Sequence, residues 1–516
     1  MNLRSISSMA WTGLVALALV ALPAVPSLAD DAEIRRKLED LEKRQAAMAR
    51  EQAEMNQEMN ELKAMLGNGA PGARKAAVAG SPALPAAVTA PADASTNVAP
   101  AAAEATRVDE VERKQNVITE EVRKIKEALV VPETTELKSA YGQGPAASKV
   151  YSVTRGVSIG GYGEYNYEGV VSDRSGQSDK FDMARLVLYT GYKFSDRFLF
   201  NSEVEFEHGL TARDGDGEVH VEFANVDALL DPRINLRAGL MLMPVGFINE
   251  IHEPPFYHGN LRPPVEVQIL PSTWSSGGVG VFGELAPALT YRTYAVVGLD
   301  ASGFSADGIS EGRQEGTENA KNWGWVGRVD YNPIAMLTIG GSAYVGDSGQ
   351  GHSYGNSVSG LRKADVFTQV YETHAQLRTH GLELRLLGAW VDVGDALALS
   401  LDENINPGVV DPKSPSRPVA GRQFGWYGEA AYDVMPLLRP DSGQYLAPWL
   451  RYSRIDTQSQ VPSGFTSDPL GDYDVFEVGL DYKPVPQLVF KVDYRNQDPH
   501  HGKLPDEVHV GAGFAY

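Results

Sequence analysis

Between Pro244 and Gly278 the sequence gathers Glu250, His252, Glu253, His258, Arg262 and Glu266 with the aromatic residues Phe256, Tyr257 and Trp274. Carboxylates, imidazoles and a guanidinium so close in sequence can move protons, ligate a metal or set the electrostatic barrier met by a passing solute. The metal reading fails on spacing, because His252-Glu253 and His258 do not form a zinc-binding helix motif and Pro254-Pro255 stand between them. A nucleotide loop in VSIGGYGEY fails because no helix follows those glycines. A lipase-like hydrolase would need a GxSxG elbow or a distinctive Ser–His pairing, and neither is present. No catalytic residue, metal ligand or cofactor is therefore assigned, and the chain is not expected to be an enzyme. Electrostatic work on a solute remains.

Pro254-Pro255 and Pro263-Pro264 lack the backbone donors that a central strand needs, so the segment is expected to be a loop folded inward as a constriction. The alternative is an outward loop that covers a trimer interface.

The elements that must position this loop repeat with period two from about Arg155 onward. In RINLRAGLML, Ile234, Leu236, Ala238, Leu240 and Leu242 share one face, and Arg233, Asn235 and Arg237 share the other. DRFLFNSEVEFEHG sets Phe198, Phe200, Val204 and Phe206 against Asn201, Glu203, Glu205 and Glu207. GLELRLLGAW and PQLVFKVDYRNQ alternate in the same way, with Arg385 and Lys491 on the polar faces. About sixteen such segments are present, each long enough for the roughly 9–11 tilted residues of a membrane strand. Short turns at 193–196, 231–232 and 483–486 alternate with long polar loops near 301–321, 346–364, 393–421 and 457–471.

The polar faces carry acids (Glu164, Glu168, Glu203, Glu205, Glu207, Glu218, Glu222) and bases (Arg185, Arg233, Arg237, Arg292, Arg328, Arg378, Arg385, Lys491, Arg495). On opposite walls they would set a transverse field across a lumen; paired together they would be internal salt bridges.

The 516 residues carry 46 Lys+Arg against 67 Asp+Glu, a net charge of −21 that argues against nucleic acid as a partner. With no cysteine, disulfides, thiol catalysis and lipid attachment are excluded. Arg4, the apolar stretch Trp11–Leu22 and Ser27-Leu28-Ala29 read as a signal peptide over 1–29. Residues Ile34, Leu38, Leu41, Gln45, Met48, Gln52, Met55, Met59, Leu62 and Leu66 form a heptad seam, so 30–66 is expected to be an α-helical coiled coil. The alternative there is a lone surface helix. An Ala/Pro-rich linker spans 67–106, a second heptad helix 107–131 and a connector 132–154. The fold class is thus an all-β transmembrane barrel of about 16 antiparallel strands over 155–516, preceded by the coiled coil. A β-sandwich or propeller would show the same alternation, but the signal peptide and the aromatic-ended strand VHVGAGFAY favour the barrel.

The stretches SKVYSVTRGVSIGGYGEYNYEG, ARLVLYTGYKFSDRFLFNSEVEFEHG and MPVGFINEIHEPPFYHGNLRPPVEVQILPSTWSSGGVGVFGEL resemble the phosphate-selective porin O/P group of bacterial outer-membrane proteins. The resemblance covers most of Arg155–Tyr516. It implies a homotrimer of 16-stranded barrels in outer-membrane lipid with an inward constricting loop, and passive diffusion of small hydrophilic solutes, anions such as phosphate among them. It also implies a periplasmic N-terminal coiled coil reaching toward peptidoglycan, and insertion by the barrel-assembly machinery through a strand ending in Tyr516. The name-giving members have basic eyelets, whereas acids outnumber bases here. A sugar or dicarboxylate porin is the runner-up. A structural tether or adhesin with the barrel as anchor, and an outer-membrane hydrolase, are the readings from other classes.

Overall fold

The computed structural model describes residues 138–516 apart from 173–175, 210–216, 315, 412 and 414–416. The expected signal peptide, coiled coil, linker and second heptad helix lie outside the described residues.

The chain forms strands β1 (Gly156–Ser172), β2 (Lys180–Lys193), β3 (Phe198–Glu207), β4 (Val219–Asp231) and β5 (Ile234–Leu242). After the proline-rich segment come β6 (Ser275–Ala286), β7 (Leu289–Val297), β8 (Trp323–Ile334) and β9 (Leu337–Asp347). A two-residue hairpin, β10 (Ser353–Tyr354) and β11 (Arg362–Lys363), decorates one loop. The series ends with β12 (Phe367–Thr379), β13 (Leu382–Val393), β14 (Arg422–Tyr432), β15 (Tyr445–Gln460), β16 (Asp472–Val485), β17 (Leu488–Pro499) and β18 (Asp506–Ala515).

Omitting the small hairpin, the strands pair antiparallel with their sequence neighbours, and β1 pairs β18 to close a 16-stranded barrel. Gly161 and Tyr516 exchange two backbone bonds, of 2.9 and 3.0 Å, at that seam. Closure leaves the barrel sheet without an edge, the condition for β structure in lipid. No described helix is long and apolar enough to cross a membrane.

Register follows the alternation. On β13 the exposed residues Leu384, Leu386 and Trp390 point outward, while Arg385, Leu387, Ala389 and Val391 are buried inside. Phe198 and Phe206 of β3 face out, and Glu203 and Glu205 face in. Trp323, Trp325, Trp390 and Trp426 all expose their rings on the outer surface. Tight turns hold the register at one end: between β12 and β13, His380 (φ 47°) and Gly381 (φ 83°) form a two-residue connection with both φ positive. That matches the strand twist, and glycine takes such a φ without steric cost. The longest connections lie at the other end, where four follow β7, β9, β13 and β15.

Residues 243–274 run inside the barrel rather than over it. The segment contains a 3-10 turn, Pro254–Phe256, and a one-turn helix, Pro264–Gln268, each starting on proline where no donor is needed. Met243, Val245, Ile269, Leu270 and Trp274 join Tyr294, Tyr344 and Tyr427 of the wall in one apolar cluster.

Candidate functional site: a polar lumen with an inward loop

Polar and charged side chains of the wall hold the loop at several points. At the loop's start, Glu250 meets Arg292 of β7 at 3.0 Å and Arg328 of β8 at 3.7 Å. Both arginines also grip Asp330, at 2.5 and 2.9 Å, and His374 of β12 bonds the same carboxylate at 2.8 Å. Arg328 also donates to the Gly246 carbonyl of the loop.

Arg451 of β15 is the hub of the opposite wall. It is fully buried and donates to Glu429 at 2.6 Å, to Glu477 at 2.9 Å and to the His258 carbonyl at 2.7 Å. His258 in turn bonds Asp481 at 2.9 Å, and Arg385 donates to the Phe256 carbonyl at 2.8 Å. Lys491 donates to the carbonyls of Tyr257 and Gly259, at 2.9 and 2.7 Å, with the Tyr257 ring 3.8 Å away. Asn260 binds Asp493 through its amide nitrogen at 2.7 Å, and Asp493 also bonds His509 at 2.6 Å.

His252 bonds Glu203 of β3 at 3.2 Å, and Arg185 bridges Glu164 (2.9 Å) and Glu205 (3.3 Å). Arg262 donates to Ser272 Oγ at 2.7 Å, while its Nε and Nη2 are buried without hydrogen-bond partners. Glu266 accepts from the amides of Phe247 and Ile248 and from Tyr427 Oη, at 2.7, 2.8 and 2.7 Å. Burial raises the carboxyls of Glu250 and Glu266 above their ordinary range and lowers the His252 imidazole below its own. Burial pushes Glu253 up to about 7.

A second segment enters the lumen from the short-turn end. The stretch before β1, expected as a plain connector, packs Ala146, Ala147, Ser148 and Val150 inside the wall. Ala146 donates its amide to Glu253 at 3.0 Å, and Asn201 of β3 donates to the Ala147 carbonyl at 3.0 Å. Tyr151 donates to Asp227 at 2.7 Å. Buried Arg237 clamps the same pair, 2.8 Å from Asp227 and 2.9 Å from Tyr151 Oη, and reaches the Tyr141 carbonyl at 3.3 Å. Small side chains let this stretch lie flat against the strands; Gly191 of β2 accommodates Val150.

Twelve of the residues singled out from sequence converge on the lumen: Glu250, His252, Glu253, His258, Arg262, Glu266, Arg185, Arg237, Arg292, Arg328, Arg385 and Lys491. Arg233 does not. It sits in the exposed turn before β5, its amide on Asp231 Oδ1 at 2.9 Å, because alternation has no inside or outside beyond the strand's end. Arg451, Glu429, Glu477, Asp330, Asp481, His374 and His509 also take part in these networks and are not singled out by sequence. The available signal was the polar set Arg451 and Ser453 between outward Leu450 and Tyr452 in β15.

No family model matches the chain. An uncharacterized protein of Aquifex aeolicus (strain VF5) is 35% identical over 381 residues, spanning 73% of this chain and 83% of that one. Among solved structures, the outer membrane channel DcaP of Acinetobacter baumannii is 13% identical. It covers 70% of this chain and 97% of its own, with a TM-score of 0.45. Salmonella typhi OmpF, solved with daunomycin, is 12% identical over 70% of this chain and 98% of that one, also at 0.45. Outer-membrane expressed OmpT of Vibrio cholerae is 12% identical with the same coverage and a TM-score of 0.41.

Proposed function

The chain belongs to one family with that Aquifex aeolicus protein, and we propose that it is an outer-membrane porin, a channel for passive diffusion of small hydrophilic solutes. The observation that carries this reading is the inversion of the barrel: aromatic and aliphatic side chains face out, and charged networks line the inside. Water-soluble sandwiches bury the apolar face instead. The loop 243–274 supplies the constriction, with Glu250, His252, Glu253, His258, Arg262 and Glu266 setting its polarity beside Arg185, Arg237, Arg292, Arg328, Arg385 and Lys491. The same reading carries a homotrimer, insertion through the strand ending in Tyr516, and a periplasmic N-terminal region near peptidoglycan.

An anion preference, phosphate included, is the finer expectation, and it rests on resemblance. The pairing of Arg185, Arg237, Arg292, Arg328 and Arg451 with carboxylates weighs against it, because a neutralised guanidinium offers an anion little net attraction. The reading is therefore a weakly selective channel. Reversal potential in a planar bilayer under a KCl gradient, repeated with phosphate, tests it. Conductance with weak or cation-leaning selectivity is expected; strong anion selectivity with phosphate block would restore the phosphate reading. The absence of any conductance would leave the barrel as an anchor.

A further inference from the structure

Toward the long-loop end of the lumen, β3 and β4 place Glu205 and His220 directly opposite each other in the pairing register. The ligand atoms of Glu205, Glu207 and His220 all lie within 4.8 Å of one another, a span that closes on a cation at ~2.1 Å from each donor by small side-chain rotations. We propose that these three residues bind a first-row divalent cation of the zinc type, with an open coordination position toward the lumen.

Three further observations point to a ligand. Glu205 is fully buried, and its Oε2 has no hydrogen-bond partner, while Oε1 lies 3.3 Å from Arg185. His220 bonds Glu222 through Nε2 at 2.6 Å, which leaves Nδ1, buried and without a hydrogen-bond partner, as the nitrogen free to ligate. A histidine held at one ring nitrogen by a carboxylate, with the other nitrogen toward the ion, is the arrangement that orients metal-binding imidazoles. Glu222 reaches this place through a register shift between Glu203 and Val204, against which β4 carries an extra residue, so both Glu222 and Phe223 are buried. Bulges re-aim side chains in this way.

Charge agrees with geometry. Glu203, Glu205, Glu207 and Glu222 are faced by Arg185, itself shared with Glu164, and by Arg262, which acts electrostatically on Glu203 and Glu205. The acids outnumber the two arginines, so a divalent cation relieves like-charge repulsion. One imidazole and two carboxylates suit a borderline cation better than Ca²⁺ or Mg²⁺, which prefer oxygen alone.

The inference needs only the lumen wall and stands apart from conduction. Full-length, tag-free protein in detergent micelles is titrated with ZnCl₂ by calorimetry, and with Co²⁺ for a ligand-field absorption band. One saturable Zn²⁺ per chain is expected, with His220→Ala and Glu207→Gln each weakening binding about tenfold or more. Both residues are partly exposed, and their variants are expected to keep the heat-modifiable mobility of a folded barrel; Glu205→Gln, which also touches the Arg185 pair, is the secondary variant. No saturable binding, or binding that folded His220→Ala and Glu207→Gln leave unchanged, would overturn the site. A barrel that binds zinc without conducting would leave this site standing and remove the porin reading instead.

Discussion

Ala146 donates its amide to Glu253 Oε1 at 3.0 Å, and that bond joins the stretch ahead of the barrel to the loop folded within it. Two separate pieces of chain thus share the lumen, and their junction is a carboxyl that burial pushes up to about 7.

Gly144 packs so closely on Glu253 that a Cβ there would overlap the carboxylate. Gly144→Val should lift the stretch off the loop while leaving the strands paired. Single-channel conductance is expected to rise on the order of two-fold as the lumen widens, and the lifted Lys149 should become accessible to trypsin. Unchanged conductance with unchanged proteolysis would show that the junction does not narrow the path.

Glu253 titrates near 7 against an ordinary 4.5. A carboxyl raised on folding contributes stability that is complete below about pH 4.5 and is lost as pH rises through about 7. The buried group accounts for roughly 3 kcal/mol across that window. Urea unfolding in detergent between pH 4.5 and 8 should show this decline, and Glu253→Gln should flatten it. An identical slope in the variant would assign the pH dependence to other groups.

Arg451→Ala removes the buried guanidinium shared by Glu429 and Glu477, leaving Glu477 to Arg495 and Glu429 to Arg385 at 3.8 Å. Loss of one partner from a buried pair costs about 3–5 kcal/mol, so the variant should unfold at markedly lower urea. Adding Glu429→Gln and Glu477→Gln to the Ala variant should recover part of the loss. Failure of the triple variant to recover any of it would mean that the lost hydrogen bond to the His258 carbonyl dominates.

Glu250→Gln takes one carboxylate from the pair of arginines Arg292 and Arg328 and leaves Asp330 to balance both. The local field turns positive, and the anion-to-cation permeability ratio is expected to rise about two-fold. Bilayer reversal potentials of variant and parent under one KCl gradient read this directly. An unchanged ratio would place Glu250 away from the ion path.

Much of this architecture was legible in the sequence because a strand's side chains alternate with a period of two whatever they pack against. Glu203 and Glu205 inward with Phe198 and Phe206 outward, or Arg385 inward with Leu384 and Leu386 outward, needed only that rule. The prolines of 254–255 and 263–264 likewise rule out a strand from sequence alone. The rule stops at strand ends, which is why Arg233 fell in an exposed turn, and it does not rank residues within a face, which is why Arg451 went unnoticed.

By itself, then, the sequence determined the strands, their polar and apolar faces and the place of the long proline-containing loop between two of them, since these follow from local backbone geometry. Only the tertiary structure decided which charges meet. Glu250 with Arg292, His258 with Asp481 and Arg451 with Glu477 are joined by barrel closure and loop entry, which bring distant segments within hydrogen-bond reach. It also decided that residues before the first strand lie inside the lumen. It alone set Glu205 against His220, because cross-strand register and a one-residue bulge have no signature in the spacing of a single chain.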